Sequence, residues 1–163
     1  INEERLAYMG SVVLGLSDAL VEFTGALAGF TFALRDPKLI ALTGAITGIA
    51  AALSMASSEY LSSKSEDTGK HPVKAALYTG AAYVITVAAL VSPFALMHNV
   101  LAALGVMLGA ALVLIAAFSF YYSVARGENF RRRFVEMACL SFGVAGVGFF
   151  IGYLLKTLTG IEA

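Results

Sequence analysis

Apolar residues fill five long stretches of the chain, and short polar segments separate them. The stretches run over residues of about 8–34, 39–61, 73–97, 100–122 and 134–155. Each is close to the roughly 20 residues that a helix needs to cross the hydrocarbon core of a bilayer. None alternates apolar and polar positions as a strand does, and a helix satisfies its own backbone hydrogen bonds in lipid. The pattern predicts an all-α membrane protein in which one transmembrane domain, residues 1–163, contains five helices.

The positions of the basic residues predict how these helices are oriented. If the N-terminus lies inside, the outer side holds only Arg35, Lys38 and Lys156, and the inner side holds the rest of the 11 lysines and arginines. Cytoplasmic connections of membrane proteins carry the excess of Lys and Arg. We therefore expect the N-terminus in the cytoplasm and the C-terminus outside.

Composition supports a membrane protein and excludes several other classes. Hydrophobic residues make up 59% of the chain and charged residues 13%, about half the share of a typical soluble domain. The formal net charge of zero gives no indication of a nucleic-acid partner. The apolar run before residues 26–28, which resemble a cleavage site, contains Asp18 and Glu22 and continues to Leu34, so we expect no cleavable signal peptide.

Pairs of glycines four residues apart occur in four of the five stretches. Such pairs let another helix backbone approach closely in lipid. They predict a tightly packed bundle, and we expect a homodimer. The pairs are Gly25/Gly29, Gly44/Gly48, Gly105/Gly109 and Gly148/Gly152.

Three carboxylates lie inside the first two apolar stretches, where a charge is costly and usually functional. Asp18 and Glu22 are four residues apart and therefore share one face of the first helix. Two like charges this close in a low dielectric need a cation or a shared proton. Glu59 lies toward the inner end of the second stretch.

The second stretch repeats this pattern with a softer ligand added. Met55, Glu59, Ser62 and Glu66 fall at helical spacing along one stripe. Carboxylate oxygens suit Mn²⁺ and Fe²⁺, and a thioether turns the preference away from Mg²⁺ and Ca²⁺. The stripe predicts a metal path that descends toward the cytoplasm, and the predicted metal-binding residues are Asp18, Glu22, Met55, Glu59 and Glu66.

Structural explanations of the same residues stay open at this point. Asp18 and Glu22 could be protonated and hydrogen-bonded to neighbours such as Ser17 or Thr24. Met55 could fill space in the core. Glu59 and Glu66 could pair with Lys64 at the membrane interface.

Four segments of the chain resemble the vacuolar iron transporter family. They read GLSDAL at 15–20, SMASSEYLSSKSE at 54–66, PVKAAL at 72–77 and, more weakly, Glu136-Met137 with GYLL at 152–155. The likeness covers nearly the whole chain in order and spacing. It implies a five-helix homodimer that exchanges cytosolic Fe²⁺ or Mn²⁺ for protons. It also implies that Asp18 and Met55 line the ion path and that Glu59 is the second-span glutamate of the family, while Lys64 and Glu66 match the end of its motif.

The chain departs from the family pattern in two ways. Many members carry a glutamate-rich helical insertion between the second and third spans that captures metal, and here a short polar link replaces it. Glu22 stands where the family often has an uncharged residue. An additional carboxylate in the path would alter ion preference or proton coupling.

The resulting prediction is a proton-coupled exporter of Fe²⁺ or Mn²⁺ in the plasma membrane of a prokaryote. Its partners would be divalent metal ions, the lipid bilayer and a second copy of the chain, and we expect no prosthetic group. The zincin, phosphate-loop and nucleophile-elbow motifs are absent from the sequence, which argues against an enzyme. The alternatives are a metal-dependent membrane enzyme and a structural or sensory membrane module.

Overall fold

The computed structural model describes residues 3–66 and 69–160. Throughout this part of the chain the only regular elements are α-helices, and each is long and apolar enough to cross a membrane. This confirms the predicted all-α class with five transmembrane helices. The helices are α1 (Glu3–Leu34), α2 (Pro37–Ser65), α3 (Pro72–Leu96), α4 (Val100–Arg126) and α5 (Phe130–Thr159).

Most helices extend beyond the apolar stretches that predicted them. The largest extensions are the first turns of α1 and α5 and the last turns of α2, α4 and α5. Polar residues occupy these turns because a helix keeps its backbone hydrogen bonds after it has left the hydrocarbon. Apolarity therefore marks the membrane-embedded part of each helix, and the helix itself ends at its caps.

The caps are local and follow from residue chemistry. Asp36, Asn99 and Asn129 each accept a hydrogen bond from a backbone N–H of the helical turn that follows. Gly127 and Gly160 end α4 and α5 with positive φ angles of 69° and 62°, which glycine adopts without a steric penalty.

The helix α1 is the centre of the bundle. It packs against each of the other four helices and most extensively against α5, whereas α2 packs mainly on α3. The core consists of fully buried apolar side chains, the largest of which are Phe23, Tyr83 and Phe94. The candidate carboxylates of α1 are therefore held by the helix that makes the most contacts with the rest of the bundle.

Glycines set the contact between α1 and α5. A Cβ atom on Gly148 would meet the carbonyl group of Gly25, and one on Gly152 would meet that of Gly29. The two predicted glycine pairs therefore pack against each other within one chain. The pair in α2 also faces the bundle, where added Cβ atoms would meet side chains of α1 and α3. The pair in α4, Gly105/Gly109, has no atom within 4 Å of an added Cβ.

The outer surface of the bundle is apolar. Large side chains such as those of Leu101, Val113 and Val124 on α4 are about 70% exposed. Exposed apolar surface of this extent is what lipid contact requires. The chain is a multi-pass membrane protein. One end of the bundle, which we call the basic end, holds the start of α1, the α2–α3 connection and the α4–α5 connection, with most of the lysines and arginines.

Candidate metal site

The most deeply buried carboxylate of the candidate set is Glu59, whose residue surface is only 7% exposed. The Ser11 hydroxyl donates a 2.5 Å hydrogen bond to Glu59 Oε1. The Lys70 ammonium lies 3.5 Å from the same oxygen and 3.4 Å from Ser11 Oγ. These three residues, which we call the Glu59 cluster, join α1, α2 and the α2–α3 connection.

Helical register directs Glu59 into the bundle. The buried face of α2 runs through Gly44, Gly48 and Ala52, and Glu59 continues it two turns later. The alternative in which Glu59 pairs with Lys64 is wrong, because the partner of Glu59 is Lys70. The Lys64 ammonium lies over the Tyr60 ring, 5.7 Å from its centroid.

Lys70 is positioned by the residues that follow it. The backbone N–H of His71 donates to the Tyr8 hydroxyl at 3.0 Å, which fastens the α2–α3 connection to the start of α1. The Tyr8 ring also packs on that of Tyr78, with a centroid separation of 5.3 Å. The connection is therefore held close to the face of α1 that carries Ser11.

That face of α1 forms a polar line through the bundle. Ser11, Gly15, Asp18 and Glu22 recur at helical spacing, and we call them the α1 stripe. From the rise of an α-helix, Asp18 lies about 10 Å and Glu22 about 16 Å beyond Ser11 along the helix axis. The order from the basic end is thus Glu59 beside Ser11, then Asp18, then Glu22.

The α1 stripe lies close to α3 at its middle. The Thr79 hydroxyl donates to the carbonyl of Ser11 at 3.0 Å. A Cβ atom on Gly15 would collide with the Thr79 carbonyl group, so only glycine allows the two backbones to approach this closely. The glycine of the GLSDAL segment therefore fixes the distance between α1 and α3.

Asp18 and Glu22 differ in their surroundings. Asp18 is half-buried, whereas Glu22 is exposed in the single chain. The hydroxyl of the fully buried Tyr83 donates a 2.5 Å hydrogen bond to Glu22 Oε2. The suggestion that Ser17 or Thr24 holds these carboxylates is wrong, since both hydroxyls donate to backbone carbonyls.

The remaining two candidates lie apart from this line to different degrees. Met55 is partly buried against the core, one turn from Glu59, at a level between Glu59 and Asp18. Glu66 is exposed and follows the last residue of α2, with an extended backbone. The stripe predicted from Met55 to Glu66 is therefore interrupted: Ser62 is exposed, and Ser63 faces the bundle instead.

The described residues contain no group of three or more His, Cys, Asp or Glu side chains that could hold a metal ion together. The predicted ligands are spread along a line and do not converge at one point in the single chain. The roles of Asp18, Glu22, Met55, Glu59 and Glu66 in metal binding stay a prediction.

Sequence reasoning missed Ser11, Lys70 and Tyr83. Ser11 could have been found by extending the Asp18/Glu22 face two turns toward the N-terminus. A tyrosine within an apolar helix, such as Tyr83, also indicates a buried hydroxyl that needs a partner. For Lys70 the sequence offers no signal beyond its place in the link.

A separate groove of about 880 Å³ lies near the basic end between α1, α3 and α4. Its lining is mostly apolar and includes Leu16, Leu77 and Phe118, with Lys74 at one side. None of the candidate carboxylates lines it. The groove is therefore not a continuation of the line of carboxylates.

Comparison with known families bears directly on this site. Residues 9–70 match the model of the VIT family. The match agrees with the resemblance to the vacuolar iron transporter family over these residues. The match spans 62 of the 163 residues, and these include the Glu59 cluster, the α1 stripe, Met55 and Glu66. A search of curated proteins gave no match.

The matched segment is the same part of the chain in which all the described carboxylates within the bundle lie. The similarity to the VIT family therefore covers the segment with the candidate site, within a multi-pass membrane protein.

Proposed function

We propose that this protein is a member of the vacuolar iron transporter family that exports Fe²⁺ or Mn²⁺ from the cytoplasm of a prokaryotic cell in exchange for protons. The observation that carries the proposal is the line of carboxylates Glu59, Asp18 and Glu22, which extends about 16 Å through the bundle. Carboxylates inside a membrane protein mark ion pathways because their burial is otherwise costly.

The ligand chemistry supports a divalent transition metal. The carboxylates supply hard oxygen ligands, and Met55, between the levels of Glu59 and Asp18, adds a softer thioether. A carboxylate must be deprotonated to bind a metal, so Asp18 and Glu22 can carry protons when the metal has left. This alternation couples the two ions without any further cofactor.

The direction of transport rests on the distribution of charge. The basic end carries most of the lysines and arginines, and such ends face the cytoplasm. Glu59 lies nearest to this end, so cytoplasmic metal would meet Glu59 before Asp18 and Glu22.

A homodimer would complete the site. Glu22 is exposed on the single chain, and a carboxylate facing lipid is unfavourable. A second copy that covers Glu22 would remove it from lipid and bring two sets of carboxylates together. A shared site of this kind would also supply the number of ligands that the described part of one chain does not bring together.

Flux into reconstituted vesicles tests the proposal. We expect the wild-type protein to move Mn²⁺ at a rate set by an imposed pH gradient, and Asp18→Asn to reduce that rate at least about a hundredfold. The matched control is Asp36→Asn, the same chemical change at an exposed helix cap where asparagine caps equally well. If Mn²⁺ movement into vesicles with the wild-type protein does not depend on the pH gradient, this result contradicts proton exchange.

The Glu59 cluster also favours a second candidate, in which the carboxylates only hold helices together. Glu59 already has two partners, as a structural group would. This alternative expects Asp18→Asn and Glu22→Gln to lower stability and to leave Mn²⁺ binding unchanged. Titration of the purified variants with Mn²⁺ separates the two candidates.

A further inference from the structure

Lys70 places its positive charge beside Glu59, the candidate carboxylate nearest to the basic end. Its ammonium lies 3.5 Å from Glu59 Oε1, and its side chain is 20% exposed, whereas that of Glu59 is 8% exposed. Lys70 is therefore the more exposed of the two, and it reaches Glu59 from the α2–α3 connection at the basic end. It occupies the side of Glu59 that an ion arriving from the basic end would have to approach.

A metal ion and this ammonium compete for the same oxygen. A divalent cation binds a carboxylate oxygen at about 2 Å, well inside the distance at which the ammonium lies. With both present, two positive charges would lie within a few ångströms in a region shielded from water, where repulsion is strong. The metal can therefore take Glu59 only if the ammonium leaves.

The lysine side chain can leave because of its attachment. It is a flexible four-carbon chain that carries a strongly hydrated charge, and it is already partly exposed. It belongs to the α2–α3 connection, where Gly69 adopts a positive φ of 66°. Its neighbour His71 is tied to Tyr8 through the backbone, so the side chain can swing outward while the connection stays in place.

We infer that Lys70 is a tethered counter-cation that an incoming metal ion must displace from Glu59. Lys70 thereby sets the threshold of metal concentration at which Glu59 is loaded, and it keeps the buried carboxylate neutralised when no metal is bound. The inference rests on the proposed function, because it assigns the regulation of the same metal path. It gives the short α2–α3 connection a direct part in metal selection.

Mn²⁺ binding by the purified full-length protein tests the inference at one fixed pH. The spectroscopic signal of free aqueous Mn²⁺ in electron paramagnetic resonance falls as the ion binds. Lys70→Met should bind Mn²⁺ roughly tenfold more tightly than the wild type, because no cation has to be displaced. Lys70→Arg keeps the positive charge, so this variant should bind Mn²⁺ with the affinity of the wild type.

The matched control is Lys74→Met, the same substitution four residues later, in the first turn of α3. Lys74 is exposed and makes no hydrogen bond or ion pair with Glu59 within the described chain. The affinity of the Lys74→Met variant for Mn²⁺ should equal that of the wild type. An affinity of Lys70→Met equal to or weaker than the wild-type value would overturn the inference.

Chemical labelling of lysines supplies a second readout that is independent of affinity. An amine-reactive reagent followed by mass spectrometry should modify Lys70 slowly in the wild type and faster after addition of Mn²⁺. Glu59→Gln should raise Lys70 labelling without metal, and Lys74 labelling should be the same in every sample.

The two readouts distinguish the possible failures. If the wild type binds Mn²⁺ while Lys70 labelling stays constant, displacement is wrong and the proposed function stands. If neither the wild type nor Lys70→Met binds Mn²⁺, the proposed function fails and the inference fails with it.

Discussion

At the scale of single residues, the hydrogen bond between Tyr83 and Glu22 is a contact on which transport should depend. Tyr83 is fully buried, and its hydroxyl is 2.5 Å from Glu22 Oε2. The bond fixes one oxygen of a carboxylate that is otherwise exposed on the single chain. It links the α1 stripe to α3 at the far end of the line of carboxylates.

We predict that Tyr83→Phe lowers Mn²⁺ flux several-fold. The free energy of unfolding should fall by only about 1 kcal/mol, because phenylalanine keeps the shape of the side chain and loses one hydrogen bond. Vesicle flux and thermal unfolding in detergent measure the two effects. The control is Tyr153→Phe at an exposed position where the ring packs on Phe32. Wild-type flux from Tyr83→Phe would show that the bond is only structural.

The residues of the site were predictable to different degrees. Asp18, Glu22 and Glu59 stand out in the sequence because any charge within an apolar stretch is conspicuous. Tyr83 and Lys70 do not, because spacing along one helix says nothing about which residues of another helix face it. Spacing alone predicts that Glu66 belongs to the α2 stripe, but the helix ends one residue before it.

At the scale of elements, the glycine contact between α1 and α5 carries the central packing of the bundle. Gly148 and Gly152 pack against the backbone of Gly25 and Gly29. Backbone atoms cannot move aside as a flexible side chain can, so even a methyl group has no room there.

The same substitution should therefore have different effects at two glycines. Gly152→Ala should lower the free energy of unfolding by about 1–3 kcal/mol, because its methyl group meets the Gly29 backbone. Gly105→Ala, with no atom within 4 Å of its Cβ, should be neutral or stabilising by up to about 1 kcal/mol through helix propensity. Thermal unfolding in one detergent compares them, and equal effects would contradict the packing described for α1 and α5.

Elements were the most predictable level of the structure. The five apolar stretches gave the five helices, because lipid leaves few other ways to satisfy the backbone. The glycine pairs predicted close packing but not its partners. Nothing in the sequence of Gly25/Gly29 indicates that Gly148/Gly152 lies opposite, or that Gly105/Gly109 faces outward.

At the scale of the whole molecule, the exposed carboxylate of Glu22 points to an assembly of two chains. Fold class and span number follow from hydropathy, but a second chain does not, since lipid-facing and partner-facing surfaces have similar compositions. The homodimer therefore stays a prediction, and the exposure of Glu22 predicts which surface the second chain covers.

Cross-linking can test this assembly. In a Cys139→Ser background, Glu22→Cys should yield a product of twice the 17.0 kDa chain mass with a short bismaleimide, because Glu22 would lie at the interface. Val113→Cys, at a 68% exposed position on the outer surface of α4, should stay monomeric on the gel. Cross-linking at position 113 and not at 22 would place the interface on α4 and contradict the shared site.

The lengths of the helix connections also bear on how the chain is inserted into the bilayer during its synthesis. Only two residues join α1 to α2 and three join α3 to α4, and these two connections lie opposite the basic end. Each pair can therefore enter as a helical hairpin that carries very few charges across the hydrocarbon, which is the costly part of translocation. With the predicted orientation, in which the basic end faces the cytoplasm, the charged connections stay on the side of synthesis.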